Sequence, residues 1–178
     1  MSEDVINAVI EFVESESKKP DAYYKEAYEL HIKPVVSHAL NLADRQDADK
    51  EIVEIAAWLH DIGSIMGRRE DHHIAGAEVT DDLLTGLGYP EEKIEKVKHC
   101  ILTHRGSVNI RRESVEAQIL ADADAMSHFD DIEGILVRVF DGDKGLMLAK
   151  LERSYAKLSE DAKGFVSDRL ENARRDLG

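Results

Sequence analysis

The chain has 178 residues, 43% of them hydrophobic, enough to fill one core of ordinary domain size. Its 23 Lys and Arg against 37 Asp and Glu leave a formal net charge of −14, which sets the surface as a whole against a nucleic-acid backbone or an anionic membrane as a standing partner. No apolar run approaches the roughly 20 residues that cross a bilayer. The N-terminus carries neither a basic leader nor a small-residue cleavage site, so the expectation is a soluble cytoplasmic protein.

Apolar residues recur at three and four positions almost everywhere, and alternating strand-like runs are absent. The chain therefore reads as an all-α single domain over 1–178, in about eight or nine helices with no linker or repeat. The first helix covers roughly Asp4 to Ser17, with Val5, Val9, Phe12 and Val13 on one stripe, and Lys18-Lys19-Pro20 ends it. A second helical region begins near Asp21. Pro34 lacks an amide hydrogen and marks the first turn of a helix running to about Ala43, which puts His31 at a helix entry or kink. Asp47 or Asp49 caps the next helix, whose buried stripe is Ile52, Ile55, Ala56 and Leu59 and whose stop is Gly63. His60 and Asp61 fall in its last turn.

The loop SIMGRRED leads into a helix from about His72 to Leu87, ended by Gly88, and Pro90 opens another that runs to about His104. Cys100, the single cysteine, lies in the apolar run VKHCIL and reads as a core thiol. Residues 105–112 read as a polar, basic loop and Glu113 to Phe129 as helix. Two or three further helices, broken near Gly142 and Gly164, complete the chain. Their apolar residues, Leu146, Leu148, Leu151, Tyr155 and Leu158, either complete the core or form a lid or a surface for a second copy.

The segment EIAAWLHDIGS, residues 54–64, carries the chemistry. Adjacent residues point about 100° apart on a helix, yet in a last turn the backbone is leaving the helix, and an imidazole nitrogen and a carboxylate oxygen can be aimed at one point. A divalent ion accepts such a mixed nitrogen and oxygen set. Upstream stands His31; downstream, VEAQILADADAMSHF places Asp122 and Asp124 among apolar neighbours. Asp122 lies nearer the stripe of Ile119, Ala123 and Met126, and residue geometry alone leaves the choice between the two acids open.

With these residues in view, the sequence resembles the HD-domain superfamily of metal-dependent phosphohydrolases. The motifs HIKPVV, AAWLHDIG, HHIAGAEV and ILADADAM occur in that family's order over about residues 25–130, with residues 131–178 outside the motif-bearing core. The resemblance implies an HD-type helical bundle in which His31, His60, Asp61 and Asp124 hold one divalent ion (Mn, Mg, Ni, Co or Fe), with room for a second. It favours Asp124 over Asp122 through the pattern Ala123-Asp124-Ala125-Met126. Asp61 is the residue that would help take a proton from the attacking water. Many relatives carry Arg or Lys after that Asp and an acid or His three residues beyond it, where this chain has Ala125 and Ser127. His128, four residues on, is read either as a partner of Asp124 or as an exposed histidine.

The resemblance also marks His73 and His104 as substrate contacts or, in two-metal relatives, as ligands of a second ion. Arg68 and Arg69 follow the doublet closely. They read as contacts for substrate phosphates or as loop charges pairing with Glu70 and Asp71. The expected function is hydrolysis of a phosphate ester or anhydride of a small metabolite, a nucleotide by preference. Two alternatives stand beside it: a di-iron oxygenase on the same scaffold, and a non-catalytic nucleotide-binding module. A homo-oligomer is compatible with all three.

Overall fold

The structure is a computed structural model that describes residues 2–23, 25–106 and 110–178, Ser2 through its backbone alone. Part of the expected 105–112 loop thus lies outside the described residues. Among those described there is no strand; the helices are α1 (Ser2–Ser17), a π-helical turn (Tyr28–Ile32), α2 (Lys33–Ala43), α3 (Lys50–Leu59), the single turn α4 (Ile62–Ile65), α5 (His72–Gly86), α6 (Glu91–His104), α7 (Val115–Ser127), α8 (Ile132–Phe140), α9 (Lys144–Lys157) and α10 (Glu160–Leu177). The all-α reading holds. Contacts divide the chain into two compact units, Met1–Ala121 and Asp122–Gly178.

In the first unit α3 is the central element. Its stripe of Ile52, Ile55, Ala56 and Leu59 is fully enclosed, and α1, α2 and α6 pack on it. Burying each such aliphatic side chain contributes about 1.5–3 kcal/mol. Asp49 is the cap: its Oδ1 accepts from the amides of Glu51 (3.1 Å) and Ile52 (3.3 Å), two of the donors that a helix start leaves without a partner. Pro90 precedes the first turn of α6, and Gly88, with φ +70°, turns the chain out of α5.

The helical region expected near Asp21 begins only at Tyr28. Before it the Tyr23 amide donates to the Ile65 carbonyl at 3.0 Å, so this stretch of backbone is bonded to another segment instead of to its own next turn. The π turn is legible in its chemistry. Lys33 N–H reaches back five residues to the Tyr28 carbonyl, and Pro34, the next residue, has no amide hydrogen with which to restore the α pattern.

In the second unit α9 packs on α10 through Met147, Leu151, Val166 and Leu170. Asp141 (φ +49°) and Gly142 (φ +80°) break the chain where a break is expected. The other break falls at Leu158 and Ser159, not at Gly164, which lies inside α10. Ser159 is the reason: its Oγ accepts from the Ala162 amide and starts the helix there. Leu146, expected with the core stripe, is 54% exposed, and Met147 takes the inward place.

Cys100 is fully enclosed on α6, and burial, with Glu116 adding to it, pushes its thiol up to about 12. The thiolate is the reactive form, so the native protein is expected to resist iodoacetamide at pH 8. Alkylation followed by mass spectrometry should accelerate at least about a thousandfold past the denaturation midpoint, because the folded state shields the sulfur until it opens.

Candidate metal centre

Four imidazoles of the first unit meet one carboxylate. His31 comes from the π turn, His60 from the residue that ends α3, His72 from the start of α5 and His104 from the last position of α6. The carboxylate is that of Asp61. Its backbone (φ −107°, ψ 12°) has left the helical region that His60 still occupies, which is how two adjacent residues come to face one point. Asp61 Oδ2 lies 3.3 Å from His31 Nε2 and 3.8 Å from His60 Nε2, and those two nitrogens are 3.1 Å apart. On the other side Oδ1 lies 3.6 Å from His72 Nε2 and 4.0 Å from His104 Nε2.

Three of the rings are held by the same local device. His60 Nδ1 donates to the Ala57 carbonyl (2.8 Å), His72 Nδ1 to that of Arg69 (2.9 Å) and His104 Nδ1 to that of Ile101 (2.6 Å), each three residues back. A carbonyl can only accept, so in the neutral rings the proton sits on Nδ1 and Nε2 presents a lone pair. Metal-ligating histidines are oriented in this way. Two donors bound at about 2.1 Å and at right angles on one ion stand about 3 Å apart, the spacing of His31 and His60. The donor set therefore fits a divalent cation, and the chemistry of imidazole nitrogen with carboxylate oxygen suits a first-row transition metal.

Asp61 stays ionised. Enclosure alone pushes its carboxyl up, but the charge that His60, His31 and His104 carry when protonated, with a hydrogen bond from His31, outweighs this and holds it well below the usual carboxylate range. His73, by contrast, does not face Asp61. It continues the buried stripe of Gly76, Ala77, Thr80 and Leu84 along α5, and its Nδ1 has no hydrogen-bond partner among the described residues. Burial, assisted by His72 and Arg105, pushes its pKa down and so favours the neutral imidazole. His72 lies one residue off that stripe and takes the position expected of His73. The periodicity of HHIAGAEVT was the signal: the histidine in phase with the small residues goes into the core, and its neighbour reaches the cluster.

Gly63 has a different role from the expected helix stop. A Cβ there would stand 2.4 Å from the His72 carbonyl oxygen and 2.9 Å from the Gly76 nitrogen, so glycine is what lets α5 lie against α4 and deliver His72. The arginines are engaged. Arg68 is bonded to Asp71 through Nε and Nη2 and lies 3.6 Å from Glu78, while Arg69 stacks over the Tyr23 ring at 4.1 Å. Arg105 donates to the Glu70 carbonyl, and His99 Nε2 accepts from the Glu113 amide.

In the second unit, the two candidate acids of α7 differ. Both oxygens of Asp122 accept from Ser159, one from its amide (2.9 Å) and one from its hydroxyl (2.6 Å), so Asp122 ties α7 to the start of α10. Asp124 is half-buried, and Ser127 Oγ donates to its carbonyl (2.7 Å). His128 shares a hydrogen bond with Ser154 at 3.1 Å.

Residues 28–128 match the model of the HD domain, a span that begins at the π turn and ends just past α7. The chain belongs to the HD-domain family. Divalent-metal binding is the habit of such domains, and in this one Asp61, His72 and His104 each place a ligand atom within 4.8 Å of the others. The fold is shared with a "predicted HD superfamily hydrolase" from an uncultured Thermotogales bacterium, at 24% identity and a TM-score of 0.61 over 97% of this chain and 92% of that one. It is shared also with YpgQ of Bacillus subtilis, at 23% identity and a TM-score of 0.72 over 99% and 93%, a protein that has been solved in complex with ADP as well. A tRNA (cytidine(56)-2'-O)-methyltransferase of Picrophilus torridus is 28% identical over 83% of this HD-domain chain and 45% of its own length. The chain spans about half the length of the curated relatives it matches. No helix among the described residues is long and apolar enough to cross a membrane.

Gly63→Ala is expected to destabilise the protein by about 1–3 kcal/mol, as overpacking against backbone does, with a matching drop in the urea midpoint. Gly86→Ala, where a Cβ meets nothing within 4 Å, is the control and is expected to gain up to about 1 kcal/mol.

Proposed function

We propose that this HD domain is a metal-dependent phosphohydrolase acting on a phosphate ester or anhydride of a small metabolite, a nucleotide by preference. The observation that carries the reading is the Asp61 carboxylate, with His31 and His60 at one oxygen and His72 and His104 at the other. His31, His60 and Asp61 would hold the first divalent ion, with Asp124 assigned to it on the family's motif. A bound divalent ion lowers the pKa of water and offsets charge on phosphoryl oxygens. Asp61 serves as the anionic ligand, its charge secured by the imidazoles around it.

Substrate binding falls to the cationic side of the rim. Arg69 holds His72 through its carbonyl and therefore stands beside the cluster, and its guanidinium on Tyr23 is exposed to a phosphate. Arg68 would first have to leave Asp71, so it contributes less. His104 is buried with its Nε2 towards Asp61, which supports a ligand role for it over substrate contact, and the burial of His73 supports a packing role in α5. The nucleotide preference is supported by the ADP complex of YpgQ.

A second reading comes from the same carboxylate. His72 and His104 on Oδ1 give a second ion a place, and a pair of irons there would suit an oxygenase. Metal content per chain, followed on the same sample by phosphate and pyrophosphate release from a nucleotide panel with added Mn²⁺, Mg²⁺, Ni²⁺ or Co²⁺, separates the readings. Metal-dependent release is the expected result. Two irons per chain with no release would favour the oxygenase, and tight metal with no cleavage of any ester or anhydride would favour a binding module. Asp61→Ala is expected to cost more than about a hundredfold in metal affinity and turnover, since even groups that merely orient ligands cost 10–100-fold, while leaving the far-UV circular dichroism unchanged.

A further inference from the structure

Arg69 is held differently from the other cations that lie over aromatic rings. Its guanidinium carbon stands 4.1 Å from the centre of the Tyr23 ring. Lys33, Lys93 and Lys163 also lie over tyrosines, those of positions 28, 89 and 155, but each is paired with a carboxylate as well: Glu29 at 2.7 Å, Glu51 at 3.3 Å and Glu160 at 2.6 Å. Arg68, next in the chain, is taken up by Asp71 and Glu78. Among the described residues Arg69 has no carboxylate within ion-pair distance and its guanidinium makes no hydrogen bond, in a chain with 37 acids. A ring against one face of a guanidinium leaves its edge, where the N–H donors lie, open to other partners. Both side chains are exposed, Tyr23 to 42%.

Tyr23 is also tied to the histidine cluster by a closed circuit of bonds. The Ile65 amide donates to the Asp61 carbonyl and the Tyr23 amide to the Ile65 carbonyl, each at 3.0 Å. Arg69 then stacks on the Tyr23 ring, and its carbonyl accepts from His72 Nδ1 at 2.9 Å. His72 Nε2 returns to Asp61 Oδ1 at 3.6 Å. The circuit begins and ends at Asp61, so ring and guanidinium keep a set position beside the imidazoles although both lie on the surface. We infer that Tyr23 is the positioning residue for substrate phosphate: it holds the Arg69 guanidinium in place without neutralising it, so that two N–H groups of the edge can take two oxygens of one phosphate group. The inference rests on the phosphohydrolase reading above and adds to it the residue that sets phosphate affinity. A carboxylate in place of the ring would have to be displaced first, as Asp71 would from Arg68.

Calorimetric titration of inorganic phosphate into the metal-loaded full chain measures this without turnover. Tyr23→Leu is expected to weaken phosphate binding about three- to tenfold, the effect of releasing one long side chain from a preset position, while metal content and circular dichroism stay as they are. Tyr23→Phe, which keeps the ring face, should restore affinity to within about twofold. Arg69→Lys keeps the charge but loses the planar edge, and should weaken binding too. In an Arg69→Gln background Tyr23→Leu should add nothing, because the ring then has no guanidinium to hold. Unchanged affinity in Tyr23→Leu would overturn the inference, as would a metal-loaded chain that binds no phosphate. So would loss of metal with Tyr23→Leu, an equal loss of affinity in the Arg69→Gln background, or a Tyr23→Phe as weak as Tyr23→Leu, each of which gives Tyr23 some other role. The inference and the reading it rests on fail separately. Phosphate binding with these variant effects but no cleavage of any ester or anhydride would remove the hydrolase and leave Tyr23 its role; nucleotide cleavage with phosphate affinity indifferent to Tyr23→Leu would do the reverse.

Discussion

A carboxylate enclosed to three-quarters of its surface sits at the convergence of helix ends, and its charge has to be met by the groups those ends carry. Taking such a group out of water costs several kcal/mol unless cations or donors surround it. Asp61 has imidazoles on both oxygens, supplied by the π turn, the end of α3, the start of α5 and the end of α6. The helices of the first unit are packed by their aliphatic stripes, but it is the meeting of their ends at Asp61 that gives the packing a chemical purpose.

Two backbone peculiarities make the meeting possible. The π turn advances His31 by one extra residue before regular helix begins at Lys33, and Gly63 omits a side chain that would hold α5 off α4. Neither contributes a ligand. Both act by letting an imidazole arrive, one through an irregular turn and the other through a missing side chain.

Much of this was legible in the sequence because it rests on local rules. Pro34 announces a helix start and an irregular entry, which located His31; a His-Asp pair at a helix end must diverge from helical geometry, which located His60 and Asp61. The sequence reading took His73 for the site, and that His72 faces Asp61 instead turns on which of the two falls in phase with Gly76, Ala77 and Thr80, a stripe of small residues too weakly apolar to stand out. Gly63 reads as a stop on local rules, and only the approach of the His72 carbonyl, which is a tertiary fact, gives it its other role. Asp122 illustrates the same limit. Its burial is foreseeable from the stripe of α7, whereas its partner, Ser159, is 37 residues away and could not be read from spacing. The late start of helix after Asp21 was hidden for the same reason, since the bond from Tyr23 to Ile65 belongs to the assembled fold.

The carbonyl clamps on His60, His72 and His104 carry a consequence for how such a centre is adjusted. Each ring is fixed by its own helical turn, so the rotamer entropy that a ligand must surrender is lost before any cation arrives. What remains variable is the separation of the helix ends. If the cluster holds an ion as proposed, affinity and selectivity would thereby fall under the control of core packing, and a methyl group gained or lost between α3, α5 and α6, far from any donor atom, would retune the centre as surely as a change of ligand.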